Sequence, residues 1–269
     1  MHAAALKQRF RGGGAVETAS QNHALQVSGL TKRFGHFLAV NNVSLAVREH
    51  HIHGIIGPNG AGKTTVFNLL TKFLSPTAGI IAYKGEDITA LGPVAIARKG
   101  IVRSFQISAV FPNLTVLQNI EVALQRQAGL ASQFWRSRDV LKQLRERAFS
   151  LLRIVKLERY SDVEARLLPY GRKRTLEIAT TLALEPKVLL LDEPMAGMGR
   201  EDIAAVSKLI RSLSDRYSIV MIEHNLSVVS TICDDISVLA RGEVIAQGSY
   251  AEVSTNPMVR EAYIGGADA

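Results

Sequence analysis

The sequence predicts an α/β fold in which helices cover a mixed sheet. Short runs of apolar, β-branched residues alternate with segments of helical periodicity, which is the pattern of a helix-covered sheet. At 269 residues the chain is long enough for one large core with a small insert, because single cores stop growing near roughly 250 to 300 residues. The predicted strands are residues 25–27, 51–56, 188–191, 219–222 and 236–239.

Helical segments divide the chain further. Residues 136–157 place apolar side chains three and four positions apart with basic residues between them, which is typical of an amphipathic helix. We therefore predict a helical subdomain over about residues 107–185, inserted into the core. A short strand at 243–246 and two small helices should follow. The main domain is expected to span 25–265, with flexible tails at 1–24 and 266–269.

Composition narrows the class of protein without choosing a partner. A net charge of +8 and a pI near 9.7 would suit nucleic acid or an anionic membrane surface, but the basic residues are spread through the predicted helices. No apolar run approaches the roughly 20 residues that a membrane-spanning helix needs, and the first 24 residues lack the apolar core of a secretory signal. The single cysteine excludes an intrachain disulfide and suits a reducing compartment.

Three closely spaced histidines, His50, His51 and His53, raise the alternative of a metal site. In a strand, successive side chains point to opposite faces, so that His51 and His53 would be separated from His50. No acidic or cysteine partner follows at a convincing spacing. We therefore favour an ordinary strand over a metal site at these positions.

The strongest local signal is G-P-N-G-A-G-K-T at residues 57–64, which matches the P-loop pattern of glycine, four residues, glycine, lysine and threonine. A predicted strand precedes it, and a predicted helix follows at 65–73. Glycines let backbone N–H groups approach phosphates, and the helix N-terminus favours negative charge. Lys63 should reach the β- and γ-phosphates, and Thr64 should bind Mg²⁺. The predicted nucleotide-binding residues are Gly57, Pro58, Asn59, Gly60, Ala61, Gly62, Lys63, Thr64 and Thr65.

A second motif, V-L-L-L-D-E-P from residue 188, places two carboxylates at the end of an apolar strand. Open α/β sheets bind ligands at the carboxyl ends of their strands, so these acids should lie near the P-loop. Asp192 would hold the Mg²⁺ shell, and Glu193 would polarise the water that attacks the γ-phosphate. On its own, such a pair of acids often does no more than cap a helix.

With these motifs in place, the chain resembles the nucleotide-binding subunits of ABC transporters over about residues 25–265. Phe34 matches the aromatic residue that stacks on adenine, Gln106 the glutamine that senses Mg²⁺ and the membrane subunit, and His224 the histidine that contacts the γ-phosphate. The resemblance implies a P-loop NTPase core of the ABC ATPase type, with ATP and Mg²⁺ as cofactors. The implied catalytic residues are Glu193, His224 and Gln106, and the implied metal residues are Thr64, Gln106 and Asp192.

The family signature, usually leucine, serine, glycine, glycine and glutamine, is replaced here by Leu168, Pro169, Tyr170, Gly171 and Arg172. In the family this segment begins a helix that grips the γ-phosphate bound to the opposite subunit. Pro169 removes a serine hydroxyl and a backbone N–H, whereas Gly171 and the helix dipole remain and Arg172 adds positive charge. We expect a weakened contact that is still present.

A second departure is Gly199, which stands where the loop after the carboxylates commonly ends in aspartate. Both departures are similar to the branched-chain amino acid transporter subfamily. That resemblance implies import of branched-chain amino acids or similar small polar solutes, and composite ATP sites that are unequal. The implied partners are two transmembrane permease subunits, a second and different ABC ATPase subunit, and an extracytoplasmic solute-binding protein. The chain would lie at the cytoplasmic face of the inner membrane, with no nucleic-acid partner.

Other classes stay open. A soluble ABC-type ATPase acting on nucleic acid or ribosomes is supported by the basic pI, but such proteins usually carry two cassettes, a long coiled coil or a zinc insert. Lipid-exporting ABC systems and urea or amide importers use closely similar ATPases. For a transporter, the surface near residues 106–117 is expected to receive a short helix of a permease subunit.

Overall fold

The computed structural model describes residues 22–104, 110–127 and 138–264. These residues form one six-stranded sheet, one four-stranded sheet and the helices around them. The strands are β1 (His23–Phe34), β2 (Phe37–Arg48), β3 (Ile52–Ile56), β4 (Ala78–Tyr83), β5 (Glu86–Asp87), β6 (Ile101–Arg103), β7 (Val188–Asp192), β8 (Ser218–Ile222), β9 (Asp235–Ala240) and β10 (Glu243–Gly248). The α-helices are α1 (Lys63–Leu70), α2 (Pro93–Arg98), α3 (Val116–Gln127), α4 (Arg138–Ile154), α5 (Tyr170–Leu182), α6 (Arg200–Leu213), α7 (Leu226–Ile232), α8 (Tyr250–Thr255) and α9 (Pro257–Ile264).

Five parallel strands make up most of the larger sheet, in the order β9-β3-β8-β7-β6. β10 pairs antiparallel with β9 at one edge. The smaller sheet is antiparallel, in the order β2-β1-β4-β5. Parallel neighbours need crossover connections, and helices supply them here. This arrangement confirms the predicted α/β class with a mixed sheet.

The three central strands, β3, β7 and β8, are buried along their whole length. A strand covered by helices on both faces needs apolar side chains on both, which is why these segments are continuous apolar runs. His53 is the exception in β3, where it is 3% exposed and its Nε2 lies 2.9 Å from Ser237 Oγ. Burial lowers the pKa of His53 to about 4, so the ring is a hydrogen-bonding core group at neutral pH.

The described chain between β6 and β7 is largely helical. α3, α4 and α5 pack with α6 around an apolar cluster that includes Leu117, Leu152 and Leu176. The described part of α4 lies within the predicted helical segment 136–157, while the subdomain bounds of about 107–185 stay a prediction. Among the described helices, we find none that combines the length and the apolar character needed to cross a bilayer.

Several elements differ by a few residues from the sequence-based bounds. β1 begins two residues before the predicted start of the domain, because His23 pairs with Arg48 of β2. α1 starts and ends earlier than the predicted 65–73, and Lys72 just beyond it has a left-handed φ of 61°, which does not continue a helix. β10 and two small helices follow β9, as predicted.

Candidate functional site

Three adjacent parallel strands bring the predicted motifs to one edge of the large sheet. β3 ends at the P-loop segment, β7 ends at Asp192, and β8 between them ends two residues before His224. Ligands of open α/β sheets bind beyond the carboxyl ends of the strands. Segments that are far apart in the sequence therefore meet where a ligand is expected.

The P-loop has a shape that requires glycine at two positions. Gly57 has φ 145°, and a Cβ there would lie 2.0 Å from the carbonyl oxygen of Leu239. Gly62 has φ 97°, and its Cβ would lie 2.6 Å from the carbonyl oxygen of Ala39. The loop is therefore packed between β2 and the end of β9, and a side chain at either glycine would displace it.

One side of the P-loop is exposed to solvent. The exposed residues are Asn59, Gly60 and Thr64, and the half-buried ones are Pro58 and Thr65. Ala61 is buried, and its carbonyl accepts a hydrogen bond at 3.1 Å from the N–H of Gly242 in the β9–β10 turn. The exposed face includes the first turn of α1, where the N-terminal N–H groups favour an anion.

Lys63 is 6% exposed, and its ammonium group is held by the loop itself. Its Nζ donates to the carbonyl oxygens of Gly57 at 2.8 Å and Pro58 at 2.9 Å. Burial lowers the pKa of Lys63, and the carboxylates of Glu193 and Asp192 oppose that shift. The ammonium group of Lys63 therefore lies inside the P-loop, where it interacts electrostatically with both carboxylates.

Asp192 lies at the end of β7 and is 1% exposed. One oxygen, Oδ2, accepts a hydrogen bond from Arg103 Nη2, while the other, Oδ1, is buried without a hydrogen-bond partner among the described residues. A buried carboxylate oxygen left in this state is costly unless a ligand completes it. Mg²⁺ prefers oxygen donors, so the free Asp192 oxygen and the exposed Thr64 hydroxyl fit a magnesium shell.

Glu193 and His224 form a direct pair, with Glu193 Oε1 2.6 Å from His224 Nε2. Glu193 has φ 46°, a left-handed conformation that is uncommon outside glycine and is found at functional sites. A third acid, Glu223, is buried and accepts backbone N–H groups from Met195 and His224, so it shapes both loops. The side chains of Glu193 and His224 are partly exposed, at 31% and 43%, and remain accessible to water.

An arginine of α5 holds the backbone around the two carboxylates. Arg174 Nη2 donates to the carbonyl oxygens of Asp192 at 2.8 Å and Glu193 at 3.1 Å. Its Nη1 donates to Glu177 at 2.7 Å, and both of these side chains are 12% exposed. The signature helix is therefore tied to the acid motif within the same chain.

Phe34 has simpler surroundings than these groups. Phe34 ends β1 and is 44% exposed, with Lys32 Nζ 5.1 Å from the centre of its ring. An exposed ring of this kind is free to stack on a planar group. Gln106 falls in 105–109, outside the described residues, so its place relative to the acids stays a prediction.

The signature segment begins α5, with Pro169 at the N-cap position. The proline ring has no oxygen that could cap the helix or bind a ligand donor. Leu168 is buried, and Gly171 packs so closely on α6 that a Cβ there would lie 2.3 Å from the carboxyl carbon of Asp202. The guanidinium carbon of Arg172 lies 4.2 Å from the centre of the Tyr160 ring, so this positive charge is engaged within the chain.

Tyr170 connects the two segments that depart from the family pattern. It is 57% exposed, and its hydroxyl donates to the Ala196 carbonyl oxygen at 3.1 Å. A Cβ at Gly197, which has φ 74°, would lie 3.5 Å from the same ring. The unusual signature and the unusual loop after Glu193 are therefore in contact.

Sequence reasoning missed Arg103, Arg174 and Glu223. A buried aspartate that ends a strand needs a positive neighbour, and β6, the adjacent strand, ends at Arg103, so strand order could have indicated that residue. Glu223 follows a buried strand directly, which was a signal for an acid that binds backbone N–H groups. Arg174 carried no comparable local signal.

Comparison with known proteins agrees with this geometry. A family model described as ABC transporter matches the sequence over residues 40–196. The chain belongs to the ABC transporter ATP-binding family. It is an ATP-binding and ATP-hydrolysing subunit, as the resemblance implied. A second model, described as branched-chain amino acid ATP-binding cassette transporter, matches residues 243–269.

Individual relatives cover nearly the whole chain. BraF of Pseudomonas aeruginosa, named a high-affinity branched-chain amino acid transport ATP-binding protein, is 42% identical over 90% of this chain and 98% of its own length. LivG of Salmonella typhimurium, with the same description, is 41% identical over 90% and 98%. A protein of Archaeoglobus fulgidus, named a probable branched-chain amino acid transport ATP-binding protein, is 36% identical over 91% and 96%.

Solved structures agree on the fold. A nucleotide-free ATP-binding cassette from an ABC transporter matches with a TM-score of 0.79 and 30% identity, over 90% of this chain and 99% of the other. The ADP conformation of an ATP-binding cassette matches with a TM-score of 0.80 and the same identity and coverage. These matches confirm the predicted P-loop NTPase fold of the ABC ATPase type.

Proposed function

We propose that this ABC ATPase powers the import of branched-chain amino acids from the cytoplasmic face of the inner membrane. The observation that carries this proposal is the match of the C-terminal segment, 243–269, to the branched-chain amino acid family model. Relatives named for that transport, with 36–42% identity along nearly the full chain, support it. The alternatives of a nucleic-acid ATPase and a lipid exporter have no comparable support among these relatives.

The arrangement of side chains supports hydrolysis at this site. The P-loop N–H groups and Lys63 bind the phosphates of ATP, and Phe34 stacks on its adenine. Glu193 orients and polarises the attacking water, and His224, hydrogen-bonded to Glu193, holds that carboxylate in place. The partial exposure of both side chains leaves room for water beside them.

The proposed site also contains residues that would hold Mg²⁺. Thr64, Asp192 and Gln106 are the residues proposed to hold its shell. When bound, Mg²⁺ would neutralise charge on the β- and γ-phosphate oxygens. The buried Oδ1 of Asp192, which has no hydrogen-bond partner in the described part of the chain, supports this assignment, because an oxygen of that kind needs a donor or a cation.

A groove of about 1010 Å³ between the large sheet and the helical segment is the proposed seat of a permease subunit. Exposed Phe73 and Val94 give it an apolar wall. Its charged lining is predominantly basic, and its one acid, Glu185, pairs with Arg147. The basic lining residues are Arg98, Lys99, Arg103, Arg126, Arg147 and Lys187. We propose that a short, acidic permease helix binds here.

The surface expected near residues 106–117 stays a prediction, because residues 105–109 lie outside the described residues. The described part of that surface, 110–117, contributes no residue to the groove lining. Its last residues, Val116 and Leu117, are buried in the cluster of α3 to α5, because they begin the amphipathic helix α3. The groove is lined mainly by α2, β6, the segment just before β7 and residues of α3 and α4.

The full transporter proposed here contains two permease subunits, a second and different ABC ATPase, and an extracytoplasmic solute-binding protein. The two ATPase subunits would close around ATP bound between this P-loop and the partner ATPase. That closure would drive the conformational change of the permeases. The contacts of Tyr170 and Arg172 within this chain support unequal composite sites, since they engage signature groups that would otherwise face the partner's ATP.

Solute uptake tests the proposal. Cells that lack this chain should lose uptake of radiolabelled leucine, isoleucine and valine, and wild-type protein should restore it. Lys63→Ala should fail to restore uptake, whereas Lys208→Ala, which removes an exposed lysine of α6, should restore it fully. Unchanged leucine uptake in the deletion would contradict the proposed solute. Loss of urea or amide uptake alone would replace it with the corresponding importer.

The groove is tested separately. Reversing two of its charges with Arg98→Glu and Arg126→Glu should release this chain from detergent-purified permease while nucleotide binding stays intact. Lys208→Glu makes the same kind of charge change outside the groove and should leave the complex unchanged. Co-purification of the double variant with permease at the wild-type ratio would place the docking surface elsewhere.

A further inference from the structure

Arg103 makes an unusual set of contacts behind the acid motif. Its side chain is 11% exposed and donates both to Asp192 Oδ2 and, at 2.6 Å, to Asn68 Oδ1. Its guanidinium carbon lies 5.7 Å from the centre of the ring of Phe67, which is fully buried in α1. One side chain of β6 thus joins the helix that follows the P-loop to the carboxylate that ends β7.

Physical chemistry makes this contact consequential for Asp192. A carboxylate with 1% exposure is stable in the fold only where a positive charge and hydrogen bonds compensate it. Lys63 contributes charge from a distance, but its ammonium protons go to carbonyls of the P-loop. Among the described residues, Arg103 alone forms an ion pair with Asp192.

The contact with Arg103 also restricts the orientation of the Asp192 carboxylate. Arg103 holds Oδ2, and the bond from its other terminal nitrogen to Asn68 limits rotation of the guanidinium plane. Because the two oxygens of a carboxylate are rigidly connected, holding Oδ2 also restricts the position of Oδ1. Oδ1 is the buried oxygen that has no partner among the described residues.

We propose that Arg103 is a positioning residue for the metal site: it supplies the counter-charge of Asp192 and holds one of its oxygens so that the other is presented to the Mg²⁺ shell. This inference rests on the proposed function of Asp192. Residues that orient a metal-binding carboxylate typically change metal affinity by about 10- to 100-fold when they are removed.

Binding of a fluorescent ADP analogue tests the proposal without relying on turnover. Affinity is measured with Mg²⁺ and again with EDTA, and the ratio gives the increment due to the metal. We expect Arg103→Met to reduce that increment about 10-fold while the affinity in EDTA stays within about 2-fold. Arg103→Lys keeps the charge but cannot bond to both Asn68 and Asp192, so it should recover part of the increment. Arg216→Met removes an exposed arginine outside the site and the groove, and should change nothing.

Asp192→Asn separates this inference from the function on which it rests. If Asp192→Asn keeps the full metal increment, the metal role of Asp192 is wrong. If Asp192→Asn loses the increment but Arg103→Met keeps it, only the role of Arg103 is wrong. The double variant should lose no more than Asp192→Asn alone, because both residues act through one carboxylate.

A purely structural role predicts a different pattern. In that case Arg103→Met would lower affinity equally with Mg²⁺ and with EDTA, so the ratio would keep its wild-type value in both Arg103→Met and Arg103→Lys. Such a result would overturn the proposal. Mn²⁺ titration followed by electron paramagnetic resonance, in the presence of ADP, measures the metal directly and should show the same ranking of variants. If Arg103→Met does not fold, Arg103→Lys carries the test, and an unchanged increment in that variant would overturn the proposal.

Discussion

The P-loop and acid region differs from the signature region in what its polar groups contact. The first region has polar groups that a ligand can reach. They are the exposed face of the loop, the partly exposed Glu193–His224 pair, and Asp192 Oδ1, which has no hydrogen-bond partner among the described residues. In the second, Tyr170 binds its own chain and Arg172 stacks on Tyr160. One region is arranged to receive a nucleotide, whereas groups of the other that would reach across to a partner are already engaged.

The acid at the signature helix widens this difference. Asp202 of α6 lies against Gly171, in the first turn of α5. A carboxylate near a helix N-terminus is favourable for the helix, but it opposes a second negative group at the same place. The two halves that this chain would contribute to the proposed composite ATP sites therefore differ in their contacts, which the motifs alone do not reveal.

The largest effect is expected on ATP turnover, from a substitution of Glu193 in the P-loop and acid region. Glu193→Gln should lower ATP turnover by about 10²- to 10⁴-fold, because the amide cannot polarise water as the carboxylate does. ATP binding should stay within about 3-fold of wild type. Steady-state phosphate release and equilibrium binding measure the two quantities, with Glu201→Gln, an exposed acid of α6, as the control. Wild-type turnover in Glu193→Gln would remove Glu193 from its proposed role.

The next effect concerns the strand that supports the P-loop. The pKa of His53 is lowered to about 4 in the fold, against about 6.5 in the unfolded chain, so the unfolded state takes up a proton first as pH falls. The stability linked to His53 should be intact above about pH 6.5 and decrease by about 3 kcal/mol towards pH 4. Urea unfolding across this range should show a weaker pH dependence in His53→Asn. Identical pH dependence in both proteins would contradict the shifted pKa.

A smaller effect is expected when the usual signature residues are restored at the start of α5. Pro169→Ser combined with Tyr170→Gly introduces the residues that the family usually carries and frees a backbone N–H. If the grip is weakened as proposed, ATP-dependent association with the partner ATPase should strengthen about 3- to 10-fold, on the scale of one or two hydrogen bonds. Sedimentation in a background that cannot hydrolyse ATP, such as Glu193→Gln, measures this. Unchanged association would mean that the departures do not limit the grip.

The smallest effect isolates a single contact. Tyr170→Phe removes the hydroxyl that donates to Ala196 and keeps the ring over Gly197. Since the contact is exposed, the free energy of unfolding should fall by about 0.5 to 1 kcal/mol. Tyr160→Phe keeps the ring beneath Arg172 and serves as the matched control. An equal loss in both variants would deny the Tyr170 hydroxyl any special role.

Sequence alone predicted the elements whose signals are local. The buried strands β3, β7 and β8 are continuous apolar runs, and the P-loop follows from glycine spacing between a strand and a helix. The contacts of Arg103 and Arg174 with Asp192 depend on strand order and helix placement, which no local pattern encodes. The stacking of Arg172 was also out of reach, because a charge in a sequence carries no information on what covers it.

The packing of the P-loop against β9 and the β9–β10 turn has a consequence for folding during translation. Gly57 rests against Leu239, and Ala61 accepts a bond from Gly242, so the loop is completed by residues near the other end of the chain. Among the described strands, β3 pairs with β8 and β9, both of which the ribosome makes much later. Contacts this distant in sequence form late and slowly. Until translation has passed Gly242, a nascent chain therefore has β2 beside its phosphate loop but lacks the β9 side of the packing.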